Sequence, residues 1–179
     1  MNIRTILVPV DFSTCSLLVT RQAAALAARL GARLVVLHVS ELPADLAADA
    51  HVRPDGVAQT AADYLTADAR EQLASFAGAA REVGATADIE VKVGSVVPTI
   101  LAAADALAAD LIVIGTHGRT GLARIVLGSV AEGVAHRAHV PVMLVRRESR
   151  PECARQSCEW CPHEGRSPAE EKIAAESQG

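Results

Sequence analysis

The chain has 179 residues, half of them apolar, and a formal charge of −4. That length suits one domain, or one domain and a tail, and that apolar share excludes a disordered or collagen-like chain. The acidic balance argues against a dedicated nucleic-acid binder, which carries a basic excess.

A first strand, Ile6-Leu7-Val8, is expected to end at Pro9. Val19, Ala23, Leu26, Ala27 and Leu30 then fall at helical spacing, and Gly31 supplies the stop. Leu34 to Val39 form a continuous apolar second strand. A long polar connection follows from about 40 to 60, with Pro43, Pro54 and Gly56. A second helix carries Leu65, Ala69, Leu73, Phe76, Ala80 and Val83, closed by Gly84. Ala87 to Val93 alternates, with Asp88, Glu90 and Lys92 on one face, and reads as a half-exposed edge strand. Val97, Ile100, Leu101, Ala104 and Leu107 mark a third helix. Leu111 to Ile114 is a fully apolar fourth strand ending at Gly115. Leu127, Val130, Ala131, Val134 and Ala138 mark a fourth helix, and Val142 to Val145 follow Pro141 as the fifth strand.

Continuous apolar strands alternating with helices predict an α/β fold: a doubly wound, five-stranded parallel sheet with helices on both faces. Alanine supplies 35 residues and Phe, Trp and Tyr together four, so the helices are expected to pack closely on an aliphatic core. Arg146 to Pro151 form a charged exit. The expected division is a domain over 1–148 and a cysteine-rich tail over 149–179. No apolar run reaches the ~18 residues of a membrane span, and the first residues lack the pattern of a signal peptide. The expectation is a cytoplasmic protein without membrane or nucleic-acid partners.

Ligands on open α/β sheets bind beyond the carboxyl ends of the strands, where strand order reverses. Pro9-Val10-Asp11-Phe12-Ser13 follows the first strand. Gly115-Thr116-His117-Gly118-Arg119-Thr120-Gly121 follows the fourth, and Gly128-Ser129 stands ahead of the fourth helix. Glycines there let the backbone approach a ligand, and a helix N-terminus favours an anion such as phosphate. The plainer reading is that these glycines make turns and Ser129 caps the helix. Four glycines and a serine on one connection favour the ligand. Other phosphate motifs are absent. Lys92 and Lys172 are the only lysines and neither follows a glycine, so there is no Walker loop. No Gly-x-Gly-x-x-Gly follows the first strand, and no Gly-x-Ser-x-Gly elbow or His-Glu-x-x-His occurs.

Gly115-x-x-Gly118, nine residues, then Gly128-Ser129 resembles the nucleotide-binding signature of the universal stress protein family. Ile6 to Ser13, Leu37-His38-Val39 and Val140-Pro141-Val142 are similar to that family's strand segments. The resemblance spans roughly residues 1 to 147. It implies a sheet ordered 3-2-1-4-5, a homodimer through the fifth strand, and ATP or another adenine nucleotide where the first and fourth strands diverge. Carried over residue by residue, it implies binding by Pro9, Val10, Asp11, Val39, Gly115, Thr116, His117, Gly118, Arg119, Gly128, Ser129 and Val130. Asp11 would meet the ribose or adenine side and Val39 the adenine. The glycine loop, with Arg119 as a charged fork, would wrap the phosphates. The implied role is a nucleotide-dependent stress-response or signalling module. Asp11 and His117 are the only acid–base candidates nearby, so no catalytic residue is assigned and ATP turnover is expected to be slow at most. Mg²⁺ is the ion to look for beside the phosphates.

The tail offers an alternative: an interaction protein whose working part responds to metal or redox state, with the nucleotide only structural. Cys153, Cys158, Cys161 and His163 make a Cys3His set with the chemistry for tetrahedral zinc. The Cys-x-His spacing is tighter than usual, and a flexible tail with incidental thiols is the plainer reading.

Overall fold

The computed structural model describes residues 2–42, 47–52, 58–116 and 127–146. In chain order these hold β1 (Thr5–Val10), α1 (Thr14–Leu30), β2 (Arg33–Ser40), β3 (His51–Val52), β4 (Gln59–Thr60), α2 (Ala61–Glu82), β5 (Ala87–Val93), α3 (Val96–Ala106), β6 (Leu111–Gly115), α4 (Ser129–Arg137) and β7 (Val142–Val145). Five strands form one sheet in the order β5-β2-β1-β6-β7. Every pairing in it is parallel. Counted over these five strands the order is the expected 3-2-1-4-5, and the fold is the expected doubly wound α/β sheet.

The alternation of side chains along each strand divides the core in two. Ile6, Val8 and Val10 of β1, with Leu34 and Val36 of β2, pack under α1 and α2 against residues such as Val19, Leu73 and Phe76. Leu7, Val35, Leu37, Val39 and Ile112 pack on the other face under α3 and α4, against Ile100, Ala104 and Val134. Alanines at the contact positions of α1 (Ala23, Ala24, Ala27) keep that helix close to the sheet. The alternating strand β5 does lie at an edge, with Asp88 and Lys92 exposed. The other edge is β7, where Met143 and Leu144 are each 41% exposed.

Four details differ from the expectation. First, β1 does not stop at Pro9 but runs to Val10. The Arg4 carbonyl accepts from Arg33 N and the Thr5 carbonyl from Asp110 N. Successive residues face opposite neighbours, so Pro9 turns its missing N–H toward β6 and leaves the ladder to β2 complete. Second, the 40–60 connection carries a short antiparallel pair, His51↔Thr60 and Val52↔Gln59. Two pairs are too few for alternation to show; Pro43, Pro54 and Gly56 lie outside the described residues. Third, Leu30 is 47% exposed, because period sets a residue's face but not how far the sheet beneath it reaches. Fourth, Val83 is the C-cap of α2, beyond the helical period, and is exposed.

The ends of the elements are held locally. Asp110 Oδ2 accepts from Arg4 N and Thr5 N at 2.8 and 3.0 Å, which ties the start of β1 to the approach to β6. Those two N–H groups hold the Asp110 carboxyl below its ordinary range. Helix α1 ends at Gly31, with φ of 65° and its N–H on the Ala27 carbonyl. No atom lies within 4 Å of where a Cβ would stand, so only the left-handed backbone demands glycine there. Gly31→Ala should therefore cost about 1 kcal/mol through strain, not collision, as a lowered urea midpoint at unchanged slope would show.

Candidate functional site

The ladder from β1 to β2 runs from Thr5↔Arg33 to Val10↔His38. The ladder from β1 to β6 holds only Ile6↔Leu111 and Leu7↔Ile112. Beyond Leu7 the two strands part, at the carboxyl edge of the sheet and at the point where strand order reverses. Pro9 faces this fork and has no N–H with which to close it. Continuing the register past the last pair sets Val10 level with Gly115 and Asp11 level with Thr116. Pro9 to Asp11 and the described start of the glycine-rich stretch, Gly115-Thr116, thus flank one opening.

On the β1 side Asp11 is half-buried. Its Oδ1 accepts from Ser13 N (3.1 Å), Ser13 Oγ (2.6 Å) and Ser16 Oγ (2.6 Å). Asp11 N in turn donates to Ser16 Oγ at 3.2 Å. Burial pushes the Asp11 carboxyl up, but the Ser13 and Ser16 hydrogen bonds outweigh it and leave the carboxyl below its ordinary value. Ser13, not Asp11, is the N-cap of α1, accepting from Ser16 N. The carboxylate is braced by the first turn of the helix.

Phe12, between Asp11 and Ser13, has φ of 64°, a left-handed value costly for a bulky residue by roughly 1–3 kcal/mol. Its ring stacks on His38 with centroids 4.0 Å apart and meets Phe76 at 5.9 Å. His38 Nδ1 lies 2.9 Å from the Val10 carbonyl. Ser16, His38 and Phe12 were not legible as site-building residues. The Asp-x-Ser-x-x-Ser spacing at a helix start is a signal for the first, as a side-chain turn running into a cap; ring stacking across two strands leaves none.

Pro9 is buried, and alternation sets it with Leu7 on the α3/α4 side. Val39 lies on that same side, 8% exposed, and Val130 packs against the same cluster. Val10 turns its side chain into the opposite cluster, and its carbonyl faces β2, where His38 meets it. On the β6 side Thr116 is buried, and its N–H donates to the Val145 carbonyl at 2.9 Å. Gly128 N donates to the Thr116 carbonyl at 2.9 Å. A Cβ on Gly128 would lie 3.2 Å from that carbonyl oxygen, so this close approach favours glycine. Gly128 is itself the N-cap of α4 and Ser129 its exposed first residue, so Ser129 is not the cap. The first turn also carries Glu132, which offsets part of the positive end of the helix dipole.

His117, Gly118 and Arg119 lie outside the described residues, as do Cys153, Cys158, Cys161 and His163. Among the described residues no group of three His, Cys, Asp or Glu is placed to hold a metal ion. None of the described helices is long and apolar enough to cross a membrane. A groove of about 410 Å³ runs along the outer face of α4, lined by Ser129, Glu132, Gly133, His136 and Arg137. Five residues of one helix give it a single wall, and it shares only Ser129 with the residues around the fork.

A doubly wound sheet with an open fork, a braced aspartate on one lip and a glycine-capped helix on the other defines a class of α/β domain. The model of the universal stress protein family matches residues 2–146, and the chain belongs to that family. Universal stress protein MJ0531 of Methanocaldococcus jannaschii is 32% identical over 147 residues, which are 82% of this chain and 84% of that one. Universal stress protein Sll1388 of Synechocystis is 32% identical over 156 residues, 82% of this chain and 99% of its own. Among solved structures, a universal stress protein in complex with cAMP aligns with a TM-score of 0.60 and 27% identity, over 81% of this chain and 98% of that one. The universal stress protein from Archaeoglobus fulgidus in complex with dAMP aligns with a TM-score of 0.57 and 28% identity, over 80% and 98%.

Asp11→Asn should destabilise the fold by about 1–2 kcal/mol at pH 7, because an ionised acceptor of three donors becomes a neutral one. A lowered folded pKa means that this stabilisation is present above about pH 4 and is lost as pH falls through the folded value. Urea titrations should show the gap between the two proteins shrinking in acid. A gap that does not change with pH would contradict the braced-carboxylate account.

Proposed function

We propose that the chain binds ATP or another adenine nucleotide and acts as a nucleotide-dependent stress-response or signalling module. The observation that carries this reading is the fork beyond Leu7 and Ile112, with Asp11 on one side and Gly115, Thr116 and Gly128 on the other. The relatives solved with cAMP and dAMP support an adenine nucleotide as the occupant. In this reading Asp11 meets the ribose or adenine side. Pro9 and Val39 give the base an apolar wall on the α3/α4 side, and Val10 links Pro9 to Asp11 at the edge of the site. Gly115, Thr116, His117, Gly118, Arg119, Gly128, Ser129 and Val130 form the phosphate cradle. With no lysine in a phosphate motif, backbone N–H groups and Arg119 carry the anion recognition. Mg²⁺ arrives on the phosphates.

The working domain is residues 1–148, and the family match ends at 146 in support. The tail is an appendage, with zinc at its cysteines the ligand to assay. The module works in the cytoplasm by switching rather than by catalysis, so any ATP turnover is slow. Protein purified without added nucleotide and then denatured should release an adenine nucleotide, as liquid chromatography with mass detection would show. Gly118→Val should weaken ATP binding at least tenfold, a loss of about 1.4 kcal/mol, with folding retained. Unchanged calorimetric affinity in that variant would remove the glycine loop from the site. Cutting the chain after Glu148 should leave the affinity unchanged and remove any zinc.

The second part of the proposal is a homodimer through β7. That strand is a sheet edge with Met143 and Leu144 exposed, and unpaired apolar edges tend to find a second copy. Light scattering should give a dimer at micromolar concentration, and the double change Met143→Lys, Leu144→Glu should give a monomer. A monomeric parent protein would rule the interface out.

A further inference from the structure

We infer that His38 is a positioning residue for the nucleotide site: it fixes the turn carrying Asp11 while working from the opposite face of the sheet to Val39. The inference rests on the adenine-nucleotide reading above and adds to it the residue that shapes the β1 lip of the fork.

Neighbouring residues of β2 point to opposite faces. Leu34 and Val36 belong to the cluster under α1 and α2, whereas Leu37 and Val39 belong to the one under α3 and α4. His38 therefore shares the α1/α2 side, where its ring meets Phe12. From that side it does not share the wall that Pro9 and Val39 offer to a base. It reaches the fork through two contacts with the turn. The Val10 carbonyl can only accept, so His38 Nδ1 carries the proton and donates to it at 2.9 Å. The imidazole also lies on the Phe12 ring, with centroids 4.0 Å apart and planes 27° from parallel.

These contacts bracket Asp11, which lies between Val10 and Phe12. Phe12 is held at φ of 64°, a conformation that persists only where surroundings impose it. The bond from His38 to the Val10 carbonyl pins the backbone that leads into this turn, and the rings of His38 and Phe76 lie against the Phe12 side chain. Asp11 Oδ1 is committed to Ser13 and Ser16, so the carboxylate moves with the turn as one body. With three donors on Oδ1, Oδ2 is the oxygen assigned to a ligand. Removing the His38 donor frees Phe12 to relax toward ordinary backbone angles, and Asp11 rotates with it.

Three substitutions separate the donor from the bulk. His38→Asn places an amide N–H where Nδ1 stands. His38→Gln places its amide near the Nε2 position instead, and His38→Phe keeps a stacking ring with no donor. Calorimetry with ATP on the full chain should give the Asn variant an affinity within about threefold of the parent, and the Gln and Phe variants a loss of at least about tenfold. Thermal melts should show all of them folded; if the Phe variant does not fold, Gln carries the comparison. Equal ATP affinity in parent and Gln variants would overturn the inference. The clamp also has a readout that needs no ligand. Asp11 N and Ser13 N are both held within the turn, so their amide exchange should quicken by at least about tenfold in the Gln variant and stay slow in the Asn variant. Unchanged exchange would overturn the clamp. A parent protein that binds no adenine nucleotide, yet shows the expected exchange pattern, would sink the proposed function and leave the clamp standing.

Discussion

The parting of β1 from β6 is the constraint on which the rest of the site depends. Two paired residues hold these strands together near their start, and Asp110 clips Arg4 and Thr5 there as well. Past Leu7 the register continues only toward β2. A right-handed twist rotates adjacent strands apart, and Pro9 offers no N–H on the side facing β6 to resist it. The opening persists because the chain leaves the two strands in opposite directions. From β1 it enters α1, which packs on one face; beyond β6 it reaches α4, which packs on the other. The two helices therefore cover opposite faces of the sheet, and the fork opens at its carboxyl edge.

The two faces then take different tasks. The α1/α2 side is where rigidity is built. It holds the aromatic contacts of Phe12, His38 and Phe76, the Ser13 and Ser16 brace on Asp11, and the large residues Leu73 and Val19 behind them. The α3/α4 side brings Val39 and Val130 toward the opening as apolar surface. A strained residue such as Phe12 is tolerated where the core behind it is already immobile. The strain and the serine brace hold the Asp11 carboxylate at the lip of the fork.

On the other lip the chain approaches itself at backbone distance. Thr116 bonds to the end of β7 through its N–H and to Gly128 through its carbonyl. The two ends of the glycine-rich connection are thereby held together whatever occupies it. The Thr116 N–H, on the Val145 carbonyl, joins that connection to the edge strand on which Met143 and Leu144 are exposed. Thr116 is thus hydrogen-bonded both to the end of the edge strand and to the N-cap of α4.

The sequence by itself determined the layers, the strands and the family. Five apolar strands alternating with helices of 3.6-residue period admit few arrangements, and period is a local property that a linear pattern records. The spacing of Gly115, Gly118, Gly128 and Ser129 is likewise a one-dimensional signal. Other features exist only once distant segments meet. That β1 passes through Pro9 follows from which neighbour each backbone N–H faces. That Val10 and Val39 turn to opposite faces follows from the sheet register. His38 lies 28 positions from the carbonyl it serves, and its ring meets Phe12 only because β1 and β2 pair in that register. Propensity and motif act through neighbours in the chain. Stacking, strand parting and a carbonyl's choice of donor act through neighbours in space, and tertiary structure alone selects those.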